Sequence, residues 1–423
     1  MLRRLLAPCA AALAAGIALL AATTTNAAGA VSGSLTITGP WTGADEQSFR
    51  AVLDAFQQQN PGLMITYRAA SGNVSTAVQS AGNPSDLAVL SLPNELEAMR
   101  RLARAGTLKP IEFAVPAVRA NYAFAWKMHG SVDGKLYGLF FKATNRSGFW
   151  YEQRQFRNAG LTAPRSWRAL GGVANALSKD GFMPFAVSGR SSIALPDLFA
   201  NTYLMLQGNR RYDMLARGQL RWRSATVRDT LRIMRETLVN PTRIAGGLGS
   251  LSTTYETAVQ KVFGSPLRAS MVSGGSAVIP ILYRAKAVRP IAQFGVFPFP
   301  TTDGKGQPRV IGDADAVVML KDSEQARALI SYLATPEAAT IWARRGIDFL
   351  SPNRKVDARS YPTAAARTLA SALTQAAVFR FGIADMRPTA FKEKLNQLLI
   401  EYVHAPRRVN EITAHLDAVG GQR

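Results

Sequence analysis

Two carboxylates two residues apart are the clearest candidates for chemistry in this 423-residue sequence. Asp313 and Asp315 lie in the run GDADA at residues 312–316, directly before an apolar stretch that predicts a strand. On an extended segment, side chains two residues apart point to one face. A glycosidase uses two carboxylates as its catalytic pair. Two carboxylates from one short segment more often hydrogen-bond a ligand or hold a calcium-like cation, and a solvated loop is the remaining alternative.

Other arrangements that carry catalysis or bind metals are missing from the sequence. The three histidines, His129, His404 and His415, are far apart and lack the spacing of metal ligands. Cys9 is the only cysteine and lies near the N-terminus. No nucleophile elbow or P-loop occurs, and the glycine-rich run at 273–276 lacks the lysine of a phosphate loop. We therefore predict a protein that is not an enzyme and that uses no metal and no cofactor.

Alternating strands and helices would position these residues. Hydrophobic periodicity predicts strands at 34–38, 63–68 and 86–90 and helices at 45–59 and 94–105. This alternation indicates βαβ units and a largely parallel sheet, and therefore an α/β fold. Further along, the region 152–260 is predicted to be rich in helices, and residues 277–279 to form a strand.

Trp41 follows the first predicted strand at its carboxyl end. In open α/β sheets, ligands bind beyond the carboxyl ends of the strands. A sugar needs a flat apolar surface for the CH side of its ring, and an aromatic side chain provides one with little loss of rotamer freedom. Trp41 is therefore a candidate sugar contact, and a place in the hydrophobic core is the alternative.

The segment 132–157, VDGKLYGLFFKATNRSGFWYEQRQFR, contains two apolar runs joined by a short polar stretch. Two buried strands connected in this way suit a chain that passes from one lobe to another. Lys142 and Asn145 stand at the predicted crossing, where a ligand held between the lobes would contact them.

Four blocks, in the right order, resemble the carbohydrate-type extracellular solute-binding proteins of family 1, which are maltose-binding-protein-like components of ABC importers. The family patterns are "W-T…F-x-x-x-N-P-G-I-x-V", "G-K-x-Y-G-x-P-F…x-x-W-Y-N", "x-x-F-P-x-P" and "Y-L-x-S-P-E-A-A-x-x-W". Phe140 stands at the usual proline of the second pattern. The matching positions are Trp41, Thr42, Phe56, Asn60, Pro61 and Gly62, then 134–151, 297–300 and Tyr332–Trp342.

The resemblance implies a two-lobe periplasmic-binding-protein fold with three hinge crossings and a ligand cleft between the lobes. The expected lobes are 31–140 plus 297–345 and 141–296 plus 346–423. The implied function is to capture a sugar or oligosaccharide and deliver it to a membrane permease. A binding protein for an acidic solute and a ligand sensor for a membrane receptor are the alternatives, and an exported glycan-active enzyme is a further one.

The resemblance also implies roles for particular residues. It places Asp86 near the cleft, where its carboxylate would hydrogen-bond the ligand; a structural turn aspartate is the alternative. Asp313 and Asp315 fall where relatives line the cleft. Gly274 and Gly275 are further candidate ligand contacts, in a turn near the cleft where relatives often carry a tryptophan or an acidic residue. At 193–196 this chain has IALP where relatives often have Gly-Trp-Pro, so two expected stacking surfaces are missing.

The N-terminus has the layout of a secretory signal peptide, predicted over residues 1–30. Arg3 and Arg4 precede a mostly alanine-leucine run that ends in small residues. We therefore expect a periplasmic or extracellular protein. Proline precedes Cys9 and the apolar run follows it, which does not suit a lipid-attachment site, so no lipid anchor is predicted.

The chain is strongly basic, with a formal net charge of +22 that falls to +20 without Arg3 and Arg4. A compositional preference for arginine explains this charge, and attraction to an anionic ligand or surface is the functional alternative. The arginines are scattered and no aromatic platform accompanies them, which argues against nucleic acid. The predicted partners are a small-molecule ligand and an ABC permease, and the protein is predicted to be a monomer.

Overall fold

A five-stranded sheet carries the first half of the fold, in the order β2-β1-β3-β12-β6. Strands β1, β2 and β3 are parallel, whereas β12 runs antiparallel to both β3 and β6. Its strands are β1 (Gly33–Gly39), β2 (Leu63–Ala69), β3 (Leu87–Leu92), β6 (Gly138–Ala143) and β12 (Ala314–Met319). The computed structural model describes residues 30–80, 85–284, 294–345 and 348–420, so the proposed signal peptide lies outside the described residues apart from Ala30.

Amphipathic helices and a short hairpin surround this sheet. Helix α1 buries Phe49, Val52, Leu53 and Phe56 on one face, as the periodicity predicts, and it ends at Asn60, whose side chain donates to the Phe56 carbonyl at 2.8 Å. The helices are α1 (Gly43–Gln59), α2 (Val74–Ala77), α3 (Leu96–Arg104), α4 (Val115–Asn121), α5 (Phe124–Gly130), α12 (Glu324–Leu333) and α13 (Pro336–Arg345), and the hairpin is β4 (Ser131–Val132) with β5 (Lys135–Leu136).

A second, four-stranded sheet has the order β10-β7-β9-β8, and a small pair joins β11 to β13. The strands are β7 (Gly148–Glu152), β8 (Phe185–Ala186), β9 (Met271–Ser273), β10 (Phe294–Pro298), β11 (Arg309–Ile311) and β13 (Val378–Arg380). The helices are α6 (Gln153–Asn158), α7 (Trp167–Lys179), α8 (Ala194–Ala216), α9 (Ala225–Thr237), α10 (Tyr255–Phe263), α11 (Val278–Arg284), α14 (Ala364–Thr374), α15 (Thr389–His404) and α16 (Val409–Gly420).

The chain passes between the two sheets at short connections. It leaves the first sheet at Ala143 and enters the second at Gly148. It returns after Pro298 and re-enters the first sheet at Ala314. After α13 it leaves the first half again, because α14 packs against β10. The fold is therefore α/β with two lobes, as predicted; the lobe boundaries expected from the sequence stay a prediction.

The strand predicted at residues 277–279 is wrong, because helix α11 begins at Val278. A short apolar run does not distinguish a buried strand from a buried helix. Pro280 falls in the first turn of this helix, where the missing N–H of proline costs nothing.

Two glycines allow the loop after β9 to pack closely, Gly275 against the first crossing and Gly274 against Tyr255 in α10. A Cβ atom on Gly275 would lie 1.4 Å from the carbonyl oxygen of Asn145, and one on Gly274 would lie 1.8 Å from the Tyr255 hydroxyl. The loop is held in this position because the Ser276 amide donates to the Asn145 carbonyl at 2.8 Å. Neither close approach leaves room for a side chain.

We expect Gly275→Ala to lower the free energy of unfolding by about 3 kcal/mol or more, because the methyl group must displace backbone at the crossing. Gly171→Ala in α7 is the matched control. A Cβ there meets nothing within 4 Å, so this substitution should stabilise by about 0.5–1 kcal/mol. Chemical denaturation of both variants measures the difference, and equal stabilities would contradict this account of the crossing.

Candidate functional site

Strand ends of the first sheet bring Trp41, Ser91 and Asp315 together. The Trp41 indole Nε1 donates to Asp315 Oδ2 at 2.8 Å, and the Ser91 hydroxyl donates to Asp315 Oδ1 at 2.8 Å. Trp41 is only 4% exposed and packs edge-on against Trp342 at 4.7 Å between ring centroids. Its observed role is therefore to orient the Asp315 carboxylate, and burial raises the pKa of that carboxyl.

Lys142 lies opposite Asp315 in the pairing of β6 with β12. Its Nζ is 2.6 Å from Asp45 in the first turn of α1 and 3.4 Å from Asp348. Burial by itself would lower the pKa of Lys142, but Asp348 and Asp45 outweigh burial and raise it. Lys142 is therefore a buried cation fixed between carboxylates rather than a mobile surface lysine.

Arg146, which the sequence analysis did not single out, holds three carboxylates at the crossing. Its guanidinium is 2.9 Å from Asp197 in α8, 3.2 Å from Asp313 and 2.5 Å from Asp385. Asp385 is also 2.5 Å from Lys392 in α15. Asp313 and Asp315 thus have different partners, although only Ala314 separates them.

The carboxylates around Arg146 titrate differently because their burial and partners differ. Burial raises the pKa of Asp197 to about 7, although Arg146 opposes the shift. Burial also raises the pKa of Asp313. For Asp385, burial acts in the same direction, but Arg146 and Lys392 together hold its pKa below the ordinary value.

These groups form one acid-rich assembly, which we call the cleft network. Asp313 is close enough to Asp315 to raise the pKa of that carboxyl, which connects the part around Lys142 to the part around Arg146. Six carboxylates face three cations, so full ionisation leaves an excess of three negative charges. The members are Asp45, Asp197, Asp313, Asp315, Asp348 and Asp385 with Lys142, Arg146 and Lys392.

The structure places other predicted site residues away from an open surface. Asp86 precedes β3, and its carboxylate accepts from the Thr36 amide at 2.7 Å and lies 3.3 Å from Lys321. Asp86 therefore lies at the amino end of β3. Asp315 pairs with Ser91 near the carboxyl end of β3, so the two carboxylates lie at opposite ends of the strands. Asn145 is fully buried and donates to the Leu369 carbonyl at 3.1 Å.

The main group that the sequence analysis missed is the carboxylate set around Arg146. Arg146 and Asp385 are 239 residues apart, and Arg146 and Asp313 are 167 apart. Periodicity does not connect positions so distant in sequence. The available signal was a second basic residue, four positions after Lys142, within the same predicted crossing.

Residues 40–340 match the family described as bacterial extracellular solute-binding protein. The chain belongs to this family. Two curated relatives are each 26% identical to it. The osmoprotective compounds-binding protein GgtB of Synechocystis aligns over 84% of this chain and 85% of its own length. The alpha-glucosides-binding periplasmic protein AglE of Rhizobium meliloti aligns over 84% and 80%.

Solved structures show the same two-lobe fold at lower sequence identity. The apo-form of RafE from Streptococcus pneumoniae superposes with a TM-score of 0.76 at 16% identity, covering 92% of this chain and 99% of that one. The bacterial solute receptor AcbH, described as preferring β-D-galactopyranose, gives a TM-score of 0.71 at 16% identity with the same coverage.

The family assignment makes this chain a solute-binding component of an ABC importer, as predicted. Proteins of this family are exported, and they bind solutes rather than transform them. Across the described ranges, none of the helices is both long and apolar enough to cross a bilayer.

The raised pKa of Asp197 predicts a pH-dependent stability. The folded protein holds this proton more tightly than the unfolded chain, so this group's contribution to the free energy of unfolding falls as pH rises from 3.8 to about 7. We expect Asp197→Asn to remove that decline, so that the free energy of unfolding of the variant minus that of the parent rises with pH across this window, whatever its absolute value. Denaturant titrations at several pH values measure the difference.

Asp322→Asn is the control for this measurement. The hydrogen bond that Asp322 accepts from Arg327 lowers the pKa of Asp322 below 3.8. Asp322 therefore titrates below the pH range in which Asp197 titrates. The difference between this variant and the parent should show no rise between pH 5 and 7. A flat difference for Asp197→Asn as well would contradict the assignment.

Proposed function

We propose that this protein binds a neutral, polyhydroxylated solute, a sugar or glucoside, in the cleft between its lobes and delivers it to a membrane permease. The observation that supports the ligand class is the excess of carboxylates in the cleft network. Carboxylate oxygens accept hydrogen bonds from sugar hydroxyls, and such charge-assisted bonds are stronger than neutral ones. An acidic solute would instead bring a like charge beside partly buried carboxylates, which is costly.

The names of the relatives support the same ligand class. AglE is described as binding alpha-glucosides and GgtB as binding osmoprotective compounds. Among the similar folds, RafE has been described in complex with raffinose. None of these names specifies an acidic sugar. We therefore favour a neutral ligand over the acidic solute that the basic composition suggested.

Within the predicted site, we assign direct ligand contact to Asp313, Asp315 and Lys142. The Asp313 side chain is 40% exposed. Trp41 orients Asp315. Asp86 bonds to Thr36 and Lys321 at the opposite ends of the strands. Asn145, Gly274 and Gly275 shape the crossing, because their close contacts leave no space for a ligand.

Lobe closure about the crossings is the proposed transport motion. Sheet membership supports dividing the lobes at 144–147 and within 299–313, on the C-terminal side of the expected boundaries at 140 and 296. We propose an exported monomer without a lipid anchor or nucleic-acid partner, which carries out no catalysis. Asp313 and Asp315 face different partners, which does not favour a glycosidase pair. The alternative function, a ligand sensor for a membrane receptor, would use the same cleft.

Methyl α-glucoside and methyl α-glucuronide form a matched pair that differs by one carboxylate. We expect an α-glucoside to raise the unfolding midpoint of the mature protein, since a ligand at about 100 times its dissociation constant adds about 2.7 kcal/mol. The glucuronide should leave the midpoint unchanged. A thermal-shift series with both compounds, extended to α-linked disaccharides, measures this, and stabilisation by the acidic compound alone would reverse the proposed ligand class.

Asp315→Asn should weaken binding of the neutral ligand about tenfold or more, because a hydrogen bond to a charged group is lost. Asp86→Asn is the matched control. It should leave the affinity unchanged because Asp86 lies at the end of the strands opposite to Asp315. Isothermal titration calorimetry compares the two variants. Equal losses of affinity would mean that both substitutions act through stability rather than contact.

A further inference from the structure

The positive charge of this protein is concentrated in its second lobe. Segments 31–143 and 314–345, which hold the first sheet and its helices, contain 14 arginine and lysine residues and 12 aspartate and glutamate residues. Segments 148–298 and 364–423, which hold the second sheet and its helices, contain 28 basic and 12 acidic residues. The formal net charges are therefore +2 and +16. The two sets span 145 and 211 residues, so the difference in length does not account for the difference in charge.

Five exposed arginines of the second lobe lie close together in sequence, and we call them the basic patch. They fall between residues 209 and 223, a stretch in which Asp213 is the only acidic residue. Both carboxylate oxygens of Asp213 accept from Arg380, at 2.6 and 2.9 Å, so this negative charge is already matched. The members of the patch are Arg210, Arg211, Arg217, Arg221 and Arg223.

The fold keeps the two ends of the basic patch together. Arg210 and Arg217 line one surface groove at the end of α8. The chain then turns back on the helix, because the amides of residues 219 and 220 both donate to the Met214 carbonyl, at 2.8 and 3.2 Å. This turn holds Arg221 and Arg223 next to the end of the helix, where they line a neighbouring cavity.

Most of the positive charge in the basic patch is not matched by carboxylates. Arg223 pairs with Asp417 at 3.1 Å. Among the described residues, no carboxylate lies within ion-pair distance of Arg210, Arg211 or Arg221. The charge of these three exposed side chains is therefore available to an anionic partner outside the protein.

The basic patch lacks the apolar centre of a protein–protein interface. The energy of such an interface comes mostly from a few large side chains that fill pockets at its centre. The large hydrophobic side chains that are exposed in the described residues all lie outside 209–223, and they are Met64, Phe124, Met128, Phe182, Met183, Leu248 and Tyr283. Long cationic side chains without an apolar centre suit a diffuse anionic surface, and the guanidinium fork matches the geometry of a phosphate group.

We infer that the basic patch holds the second lobe against an anionic phospholipid bilayer. The permease of an ABC importer lies in a membrane, so a solute-binding component works at the surface of that membrane. In a protein without a lipid anchor, as proposed above, attraction between arginines and anionic lipids would raise the concentration of the protein near the permease. The basic patch is separate from the cleft network, so the inference does not depend on which solute the cleft binds.

Sedimentation with vesicles tests the bilayer contact. The protein without residues 1–30 is mixed with vesicles of phosphatidylcholine alone or of phosphatidylcholine with phosphatidylglycerol. We expect it to pellet with the anionic vesicles and to stay in solution with the neutral ones. Raising the ionic strength should release it, because salt screens exposed charges. Equal pelleting with the two kinds of vesicle, or binding to neither, would overturn the inference.

One variant combines Arg210→Gln, Arg211→Gln and Arg221→Gln, which removes the three unmatched charges of the basic patch. Each basic side chain at an anionic bilayer contributes roughly a factor of five to the affinity, so we expect this variant to bind the anionic vesicles about 100-fold more weakly.

The matched control combines Arg68→Gln, Arg101→Gln and Arg119→Gln. These three arginines are exposed in the first lobe, and none of them pairs with a carboxylate of the described residues. The control loses the same net charge as the first variant but keeps the basic patch. We therefore expect it to bind the anionic vesicles as the parent does.

Equal losses of binding in the two triple variants would overturn the inference, because net charge rather than the position of the arginines would then decide the attraction. Retention on immobilised polyglutamate without binding to vesicles would also overturn it, and would assign the basic patch to an acidic polypeptide. Sugar binding by the same preparations is a separate readout. A preparation that binds the neutral sugar but not the anionic vesicles refutes the bilayer contact and leaves the proposed transport function intact.

Discussion

The buried charge of Arg146 is the constraint on which the crossing between the lobes depends. A guanidinium removed from water is stable only when carboxylates and hydrogen bonds compensate for its lost hydration. Asp197, Asp313 and Asp385 provide that compensation, and each comes from a different part of the chain. Removing one partner of such a group typically costs about 3–5 kcal/mol. The arrangement therefore fixes the connections while surrounding them with more negative charge than one cation balances.

This constraint explains why the residues next to Arg146 are closely packed. Asn145 is fully buried and fixes the start of the crossing through bonds to α14 and to the Ser147 amide. Gly275 accepts a hydrogen bond from the Trp150 indole on its carbonyl while its Cα faces the Asn145 carbonyl. We therefore propose ligand contact for side chains on the strand ends of the first sheet, where Asp315 lies. The buried residues of the crossing mainly hold these strand ends in position.

Local pattern predicted much of this fold, because α1 and strands β1 to β3 are governed by periodicity and by turn residues such as Asn60. The rule that ligands bind beyond the carboxyl ends of the strands, which identified Trp41 as a candidate, also applies to Asp86. A residue that precedes a parallel strand lies at its amino end, away from the ligand edge. Sequence reasoning could not find the partners of Arg146, because only the folded topology brings them together. It also misassigned 277–279, where a short apolar run fits two structures.

A basic surface is compatible with an acid-rich cleft, because salt screens distant charges more than charges in direct contact with the ligand. At physiological ionic strength, charges separated by more than about 8 Å of water are largely screened. A net charge near +20 therefore affects how the protein associates with surfaces, but it has little influence on a ligand already inside the cleft. In the proposed site, that ligand would contact Asp313 and Asp315 directly, and burial weakens the screening there. Selectivity then depends on the sign of the nearest charges, so a basic protein can still favour a neutral solute over an anion.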